Sequence, residues 1–199
     1  MIHPHTRLQH ISDIIGYGVF ATQFIPAGTI IYAKDVLDVE VLTEDYLLHD
    51  LAMQQIIEKY SYMDERGIRI ISWDLAKYVN HCCDSNTLSA SFGFDIAVRD
   101  IHLGEEITCD YGLLNAADEM PLYCSKLSCR GVLRPTDFDT CVPLWDKKLK
   151  AVLPQFSTVE QPLLSLIEPE IIELLLAYGL GEIPYESVSR LKFQQSLVV

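Results

Sequence analysis

The sequence predicts an α+β protein, a body of short strands followed by a helical C-terminal appendage. Three observations carry that expectation. Glycine and proline turn signals interrupt the first two-thirds of the chain every few residues. Between them, apolar residues alternate or form short β-rich runs, and from about Cys141 onward their spacing becomes helical. A length of 199 residues with 49% apolar and 22% charged positions supplies one sizeable core and excludes a disordered chain.

The elements follow in order. Leu8, Ile11 and Ile14-Ile15 lead into a Gly16-Tyr17-Gly18 turn, then a strand at Val19-Phe20-Ala21-Thr22. Pro26-Ala27-Gly28 is a second turn, Thr29-Ile30-Ile31-Tyr32 is β-rich, and Val36 to Leu42 alternates. Thr43-Glu44-Asp45 reads as a helix start, a capping hydroxyl followed by acids, with Leu47, Leu48, Leu51, Ile56 and Tyr60 recurring at helical spacing. Gly67 ends that pattern. Ile68 to Trp73 reads as a strand and Asp74 to Tyr78 as one helical turn, before the polar segment Asn80 to Asn86. Phe92, Phe94, Ile96 and Val98 share one face of the next alternating stretch, and Gly104-Glu105-Glu106 turns into Ile107 to Gly112. Leu144, Trp145, Leu149, Val152 and Leu153 share a helical face up to Pro154, and Pro169 and Gly179 suit the first and last positions of another helix. These C-terminal stretches read as core-packing helices. The alternatives are a lid or partner-binding appendage, or a Leu-rich face that pairs two copies into a homodimer.

Fifteen Lys and Arg against 28 Asp and Glu give a net charge of −13. That balance argues against direct nucleic-acid binding, which needs a positive face, and fits a basic protein partner. No run of 18 apolar residues predicts a membrane span, and the N-terminus lacks an apolar signal segment, so the expectation is a soluble chain in a reducing compartment, cytoplasm or nucleus. Six cysteines are too sparse for a disulfide scaffold, which leaves metal binding or ordinary buried thiols.

Three separated pieces stand out together: Gly16-Tyr17-Gly18-Val19-Phe20, Tyr78-Val79-Asn80-His81-Cys82-Cys83, and Ala97-Val98-Arg99-Asp100-Ile101 continuing through Gly104-Glu105-Glu106 to Asp110-Tyr111-Gly112. A Gly-Tyr-Gly alone is a hairpin turn, and an Asn-His pair alone is a polar loop. In this order and spacing the pieces resemble the SET-domain protein lysine methyltransferases over roughly 8–112, with an echo at 122–133. The resemblance implies small curved β-sheets around a pseudoknot. It divides the chain into a SET domain at 8–112, a post-SET-like segment at 113–135 and a helical extension at 136–199. It implies S-adenosyl-L-methionine as methyl donor and, as acceptor, the ε-amine of a lysine entering a narrow channel from the opposite face. A histone tail or a ribosomal-type basic protein fits as substrate. The second reading is a SET-like module that has lost turnover and serves in binding or scaffolding.

The resemblance also implies roles. Gly16, Tyr17 and Gly18 hold the amino-acid end of the cofactor, Asn80 meets its zwitterionic end, and the backbone around His81 pairs with the adenine. Tyr78 stands where the family has Phe and lines the cofactor pocket. Tyr111 is the implied catalytic residue. Methyl transfer is an in-line displacement dominated by alignment, and a phenol beside the methyl orients the donor and accepts weak C–H···O contacts. The amine must also lose a proton, at a cost of roughly 4 kcal/mol at neutral pH that desolvation reduces, and no dedicated base stands out in the sequence. Cys109 stands where the family commonly has Phe or Tyr, and the smaller side chain leaves room for di- or trimethylation. Lys34-Asp35 lies near the place of a channel tyrosine, for which Tyr32, Tyr60 or Tyr62 substitutes. Cys83, Cys124 and Cys129 align with three zinc ligands of the family, while Leu122 replaces another. Cys82, Cys141 or a histidine completes the zinc set, or the segment packs without metal.

Overall fold

The structure, a computed structural model, describes residues 1–194. Among them the chain forms strands β1 (Thr6–Ser12), β2 (Gly16–Ala21), β3 (Ile30–Ala33), β4 (Val39–Val41), β5 (Ser61–Met63), β6 (Arg69–Ile71), β7 (Asn80–His81), β8 (Thr87–Ala90), β9 (Phe94–Ala97), β10 (Glu106–Cys109), β11 (Met120–Pro121) and β12 (Val132–Leu133). Helices α1 (Thr43–Leu48), α2 (Leu51–Tyr60), α3 (Asp137–Val152) and α4 (Pro169–Gly179) complete the α+β set. The strands make four small sheets, ordered β1-β2-β10-β7, β3-β9-β8, β4-β6-β5 and β11-β12. No described helix is long and apolar enough to cross a membrane.

The first sheet brings distant stretches of sequence together. Gly16 enters β2 with a φ of +82°, a left-handed conformation that favours glycine, and so closes the β1–β2 hairpin. β10 pairs antiparallel with β2 through Ile107 and Val19. β7 then adds in parallel, Asn80 opposite Thr108 and His81 opposite Cys109. That parallel pairing sets the Asn80 segment beside the residues leading into Tyr111.

The β3-β9-β8 sheet has two unlike faces. Ile30, Leu88 and Ile96 are cross-strand neighbours, as are Ala33, Ala90 and Phe94, and all six lie in the main core. On the other face Tyr32 and Ser89 flank Asp95, and Thr87 lies opposite Ala97. A bulge between Ile30 and Tyr32 inserts Ile31 and puts Tyr32 in register with Asp95.

The helical C-terminal region is present and supplies the other half of this core. Trp145, Leu149, Val152, Leu153, Phe156, Leu163, Leu175 and Val188 pack against the apolar face of the sheet. α3 starts earlier than the spacing indicated, with Asp137 and Asp139 in its first turn, where acids suit the helix dipole. α4 runs from Pro169 to Gly179, as its end signals indicate.

The α1–α2 stretch departs from expectation. Thr43 is not a cap but the first helical residue, after an uncapped Leu42. The single helix read from the spacing is broken at His49-Asp50, where the Asp50 carboxylate accepts a 2.9 Å hydrogen bond from the Met53 N–H and starts α2. Leu47, Leu48, Leu51 and Ile56 are exposed, and Ile57 is the buried residue of α2. The break divides the helix in two, and the apolar residues read as one stripe remain exposed.

Candidate active site

Gly16, Tyr17, Tyr78, Asn80, His81, Cys109 and Tyr111 line one cavity of about 1470 Å³, which also takes in Tyr32, Tyr60, Tyr62 and Asp95. The Asn80 amide nitrogen donates to the Tyr17 carbonyl at 3.0 Å and to Glu106 Oε1 at 2.8 Å, locking β7 to the start of β2. Gly16-Tyr17-Gly18 is strand there and not the turn its glycines suggested, the turn lying at 13–15. Gly18 is required by this packing. A Cβ there would lie 2.6 Å from Glu106 Oε1 and from Ile11 Cδ1, and 2.9 Å from Asn80 Nδ2. Its small size serves the chain's own side chains. Tyr17 is half exposed and meets Tyr78 edge-on at 6.2 Å, and Tyr78 meets Tyr60 at 5.7 Å, forming an aromatic wall.

Tyr111 sits against the Asn80-His81 segment. Its hydroxyl donates to the Val79 carbonyl at 2.9 Å and its backbone N–H donates to His81 Nδ1 at 3.1 Å. Burial pushes the phenol well above its ordinary pKa, with Cys109 and Glu106 adding to the effect, so Tyr111 remains a neutral hydroxyl that orients rather than a base.

Sequence reasoning missed what holds Tyr111 in place. The buried Asp110 carboxylate accepts from the Gly112 N–H at 3.0 Å, from Trp145 Nε1 at 3.0 Å and from both terminal nitrogens of Arg130. One carboxylate thus ties the Tyr111 turn to α3 and to the 122–131 segment. A charged pair with every oxygen satisfied is costly to break from one side, because the remaining charge is left buried. The sequence signal was faint, an acid beside the catalytic candidate and an arginine among the cysteines.

The three tyrosines left open as channel substitutes all reach the cavity wall, with Tyr60 packed on Tyr78 and Tyr32 meeting Tyr62 edge-on at 6.4 Å. The Tyr32 hydroxyl donates to Asp38 Oδ2 at 2.7 Å and accepts from Ser72 Oγ at 3.1 Å. Lys34 is committed to Glu40. Cys109 is buried, and its thiol is raised well above the ordinary value by burial, then by the charges of Asp95 and Asp110. Asp95, which sequence reasoning did not single out, lines the cavity from β9.

A ring nitrogen of His81, Cys83 Sγ and Cys124 Sγ all lie within 4.8 Å of one another, with Nε2 the nitrogen nearest Cys83 at 3.1 Å. Cys129 stands outside this tight triad, although its thiol hydrogen-bonds Cys124. Cys141 is engaged by Arg130 at 3.1 Å, and Cys82 is an ordinary buried thiol. Burial pushes Cys83 up to about 12, with a hydrogen bond from the Arg130 N–H and the Arg130 charge opposing it. At Cys124 burial is outweighed by hydrogen bonds from the Cys83 backbone and the Cys129 thiol, which hold that thiol below its ordinary value. The donor chemistry, one imidazole with two thiols and a third adjacent, fits tetrahedral zinc. His81 Nδ1 accepts from Tyr111, which assigns the ring proton to Nε2, 3.1 Å from Cys83 Sγ. Ligation through Nε2 requires the proton on Nδ1 instead, which would face the Tyr111 N–H and forfeit that hydrogen bond, and Asp110 Oδ1 at 3.7 Å lies beyond hydrogen-bond reach of it.

With that geometry in hand, similarity to known proteins is informative. Residues 16–112 match the family model of the SET domain. The histone-lysine N-methyltransferase set1 of Dictyostelium discoideum is 29% identical over 136 residues, covering 61% of this chain and 9% of that protein. The putative histone-lysine N-methyltransferase ASHH4 of Arabidopsis thaliana is 25% identical, covering 58% of this chain and 36% of its own length. An H3 lysine-4 specific histone-lysine N-methyltransferase of Schizosaccharomyces pombe is 34% identical over 67 residues, covering 30% of this chain and 7% of that protein. The chain therefore spans between 7% and 36% of the length of these relatives. The crystal structure of KRYPTONITE in complex with mCHG DNA and SAH superposes with a TM-score of 0.44 at 22% identity, covering 62% of this chain and 28% of that one.

Proposed function

We propose that this chain, whose residues 16–112 are a SET domain, transfers a methyl group from S-adenosyl-L-methionine to the ε-amine of a lysine in a basic protein segment. The observation that carries the reading is the parallel pairing of β7 with β10. It joins Asn80, the Tyr17 end of β2 and the Tyr111 phenol at one cavity. S-adenosyl-L-methionine, when bound, supplies an electrophilic methyl on a sulfonium sulfur.

The chain's own residues supply alignment. Asn80 has spent its amide nitrogen within the protein, and its Oδ1, without a protein donor among the described residues, is free to accept from an ammonium. Tyr17 and Tyr78 form the wall along which the donor lies. Tyr111, fixed by Val79 and His81, holds its oxygen at the junction between donor and acceptor, where it orients the methyl. Cys109 leaves the space that a larger aromatic would fill, so products extend beyond the monomethyl state. Zinc held by Cys83 and Cys124, with Cys129 adjacent and His81 joining only by giving up its bond to the Tyr111 N–H, would clamp a post-SET-like segment at 113–135 onto the 8–112 domain.

The relatives' names specify histone lysines, and a net charge of −13 suits such basic tails, or basic ribosomal proteins, through an attraction that salt weakens. Radiolabelled methyl transfer to purified core histones and to a basic ribosomal-protein fraction tests the reading. The wild type is expected to label one of them, and Tyr111→Phe at least tenfold less. Equal labelling removes Tyr111 from the mechanism. Absence of labelling together with no calorimetric binding of S-adenosyl-L-methionine leaves the scaffolding module as the function.

A further inference from the structure

Methyl transfer needs a neutral amine, and lysine arrives as an ammonium. On the cavity face of the β3-β9-β8 sheet one residue is an acid, Asp95. Its neighbours in sequence, Phe94 and Ile96, point into the core, so the two-residue period of the strand turns Asp95 the other way. There it is flanked by Tyr32 of β3 and Ser89 of β8 and lines the same cavity as Cys109 and Tyr111.

The titratable groups that face it are Tyr32 from β3, Tyr62 from β5 and Cys109 from β10. Burial raises all three, so each is neutral near pH 7. The more distant Asp38 is engaged by the Tyr32 hydroxyl and Asp110 by Arg130. Among the described residues no lysine, arginine or histidine pairs with Asp95, and Ser89 is its one polar support. Burial raises its carboxyl to about 6. A carboxylate partly withdrawn from water without a cation is a costly arrangement, and such arrangements concentrate where a ligand supplies the missing charge.

We propose that Asp95 receives the ε-ammonium of the substrate lysine inside the channel and takes its proton. An N–H bond breaks and an O–H bond forms, so the ammonium and the carboxylate become an amine and a carboxylic acid. The freed nitrogen pair then forms the N–C bond as the methyl's C–S bond breaks, and that bond's electrons stay on sulfur. Asp95 returns its proton to water when the products leave. Enclosure assists the transfer, since low polarity lowers the amine's proton affinity and raises the carboxylate's. The inference rests on the methyl-transfer reading and adds to it the base that the sequence did not reveal.

The test is the pH dependence of kcat/KM from pH 5 to 9 for methylation of purified core histones, or of the ribosomal-protein fraction if that is the one labelled. Wild type, Asp95→Asn and Asp95→Glu are compared, with calorimetric binding of S-adenosyl-L-homocysteine in parallel. The wild type is expected to show an acid limb near pH 6. Asp95→Asn is expected to lose that limb and to fall about a hundredfold at pH 7.5 while binding S-adenosyl-L-homocysteine as before. Asp95→Glu is expected to recover the limb and part of the rate. An Asp95→Asn protein that keeps the wild-type rate and limb overturns the proposal. So does an Asp95→Glu profile without the limb, even if the Asn variant fails to fold. A wild type that neither binds the homocysteine product nor labels either protein brings down the methyl-transfer reading itself, and this inference with it.

Discussion

The two faces of the β3-β9-β8 sheet are built from the same few residues of chain and obey different rules. On one, Ile30, Leu88, Phe94 and Ile96 are shut away from water against α3 and the segments after it. On the other, Tyr32, Ser89, Thr87 and Asp95 border a cavity and carry hydroxyls and a carboxylate. The first face follows apolar burial and close packing, and its reward is stability. The second sacrifices stability to hold polar groups where a ligand can meet them, a local violation of the kind found at functional sites.

The largest effect should come from breaking the apolar side. Trp145→Ala removes a fully buried ring from that core and withdraws the indole N–H from Asp110, so a loss of about 3 to 5 kcal/mol is expected by calorimetric or denaturant unfolding. A loss below 1 kcal/mol would mean that α3 does not seal the sheet.

Asp95→Asn probes the cavity side and should act in the opposite direction. The folded carboxyl is raised to about 6, so the native state holds a proton that the unfolded chain releases at lower pH. Stability from this group is therefore present below the ordinary carboxylate value and lost as pH rises toward and through 6. The Asn variant should be more stable than wild type by on the order of 2 kcal/mol at pH 7.5, and the difference should vanish near pH 3. Thermal melts at the two pH values decide it, and an unchanged gap would show that Asp95 is not held in an unfavourable state.

His3 sharpens the contrast with a buried titratable group of opposite sign. Ile2 bridges Tyr32 at the edge of β3, and burial, with His5 nearby, lowers His3 to about 4. Here the unfolded state takes up the proton first, so stability is present above pH 6.5 and is lost as pH falls toward 4. His3→Asn is expected to remove about 1 kcal/mol of that acid-side slope in a pH series of melts. The smallest effect belongs away from both faces. Leu48 on α1 is 84% exposed, and Leu48→Ala should change unfolding free energy by less than about 0.5 kcal/mol.

Much of the frame was legible along the chain. Alternation at Phe94 and Ile96 gave a strand and its buried side, Pro169 and Gly179 bounded α4, and the helical turn read at Asp74 to Tyr78 forms over Leu75–Tyr78. The pieces around Gly16, Asn80 and Tyr111, separated by dozens of residues, do come to one cavity. Helical spacing misled at α1–α2, because Leu47, Leu48, Leu51 and Ile56 match a helical period that no neighbour covers. The Asp110–Arg130–Trp145 knot left only a faint signal because its members lie far apart in sequence and each is an ordinary residue type alone.

Local rules are statements about one segment and its period. They located most of the strands and the C-terminal helices, the inward residues of β9, and, through three spaced pieces, the family that residues 16–112 resemble. What lies across from a given face is a property of other segments. Period two says that Asp95 points away from Phe94 and Ile96, but whether that side meets bulk water or a cavity depends on β5, β10 and the bulge in β3. The same holds for the imidazole of His81, which faces two cysteines only because β7 runs beside β10. Solvation decides a charged group's energy and chemistry, and solvation is set by the assembled fold.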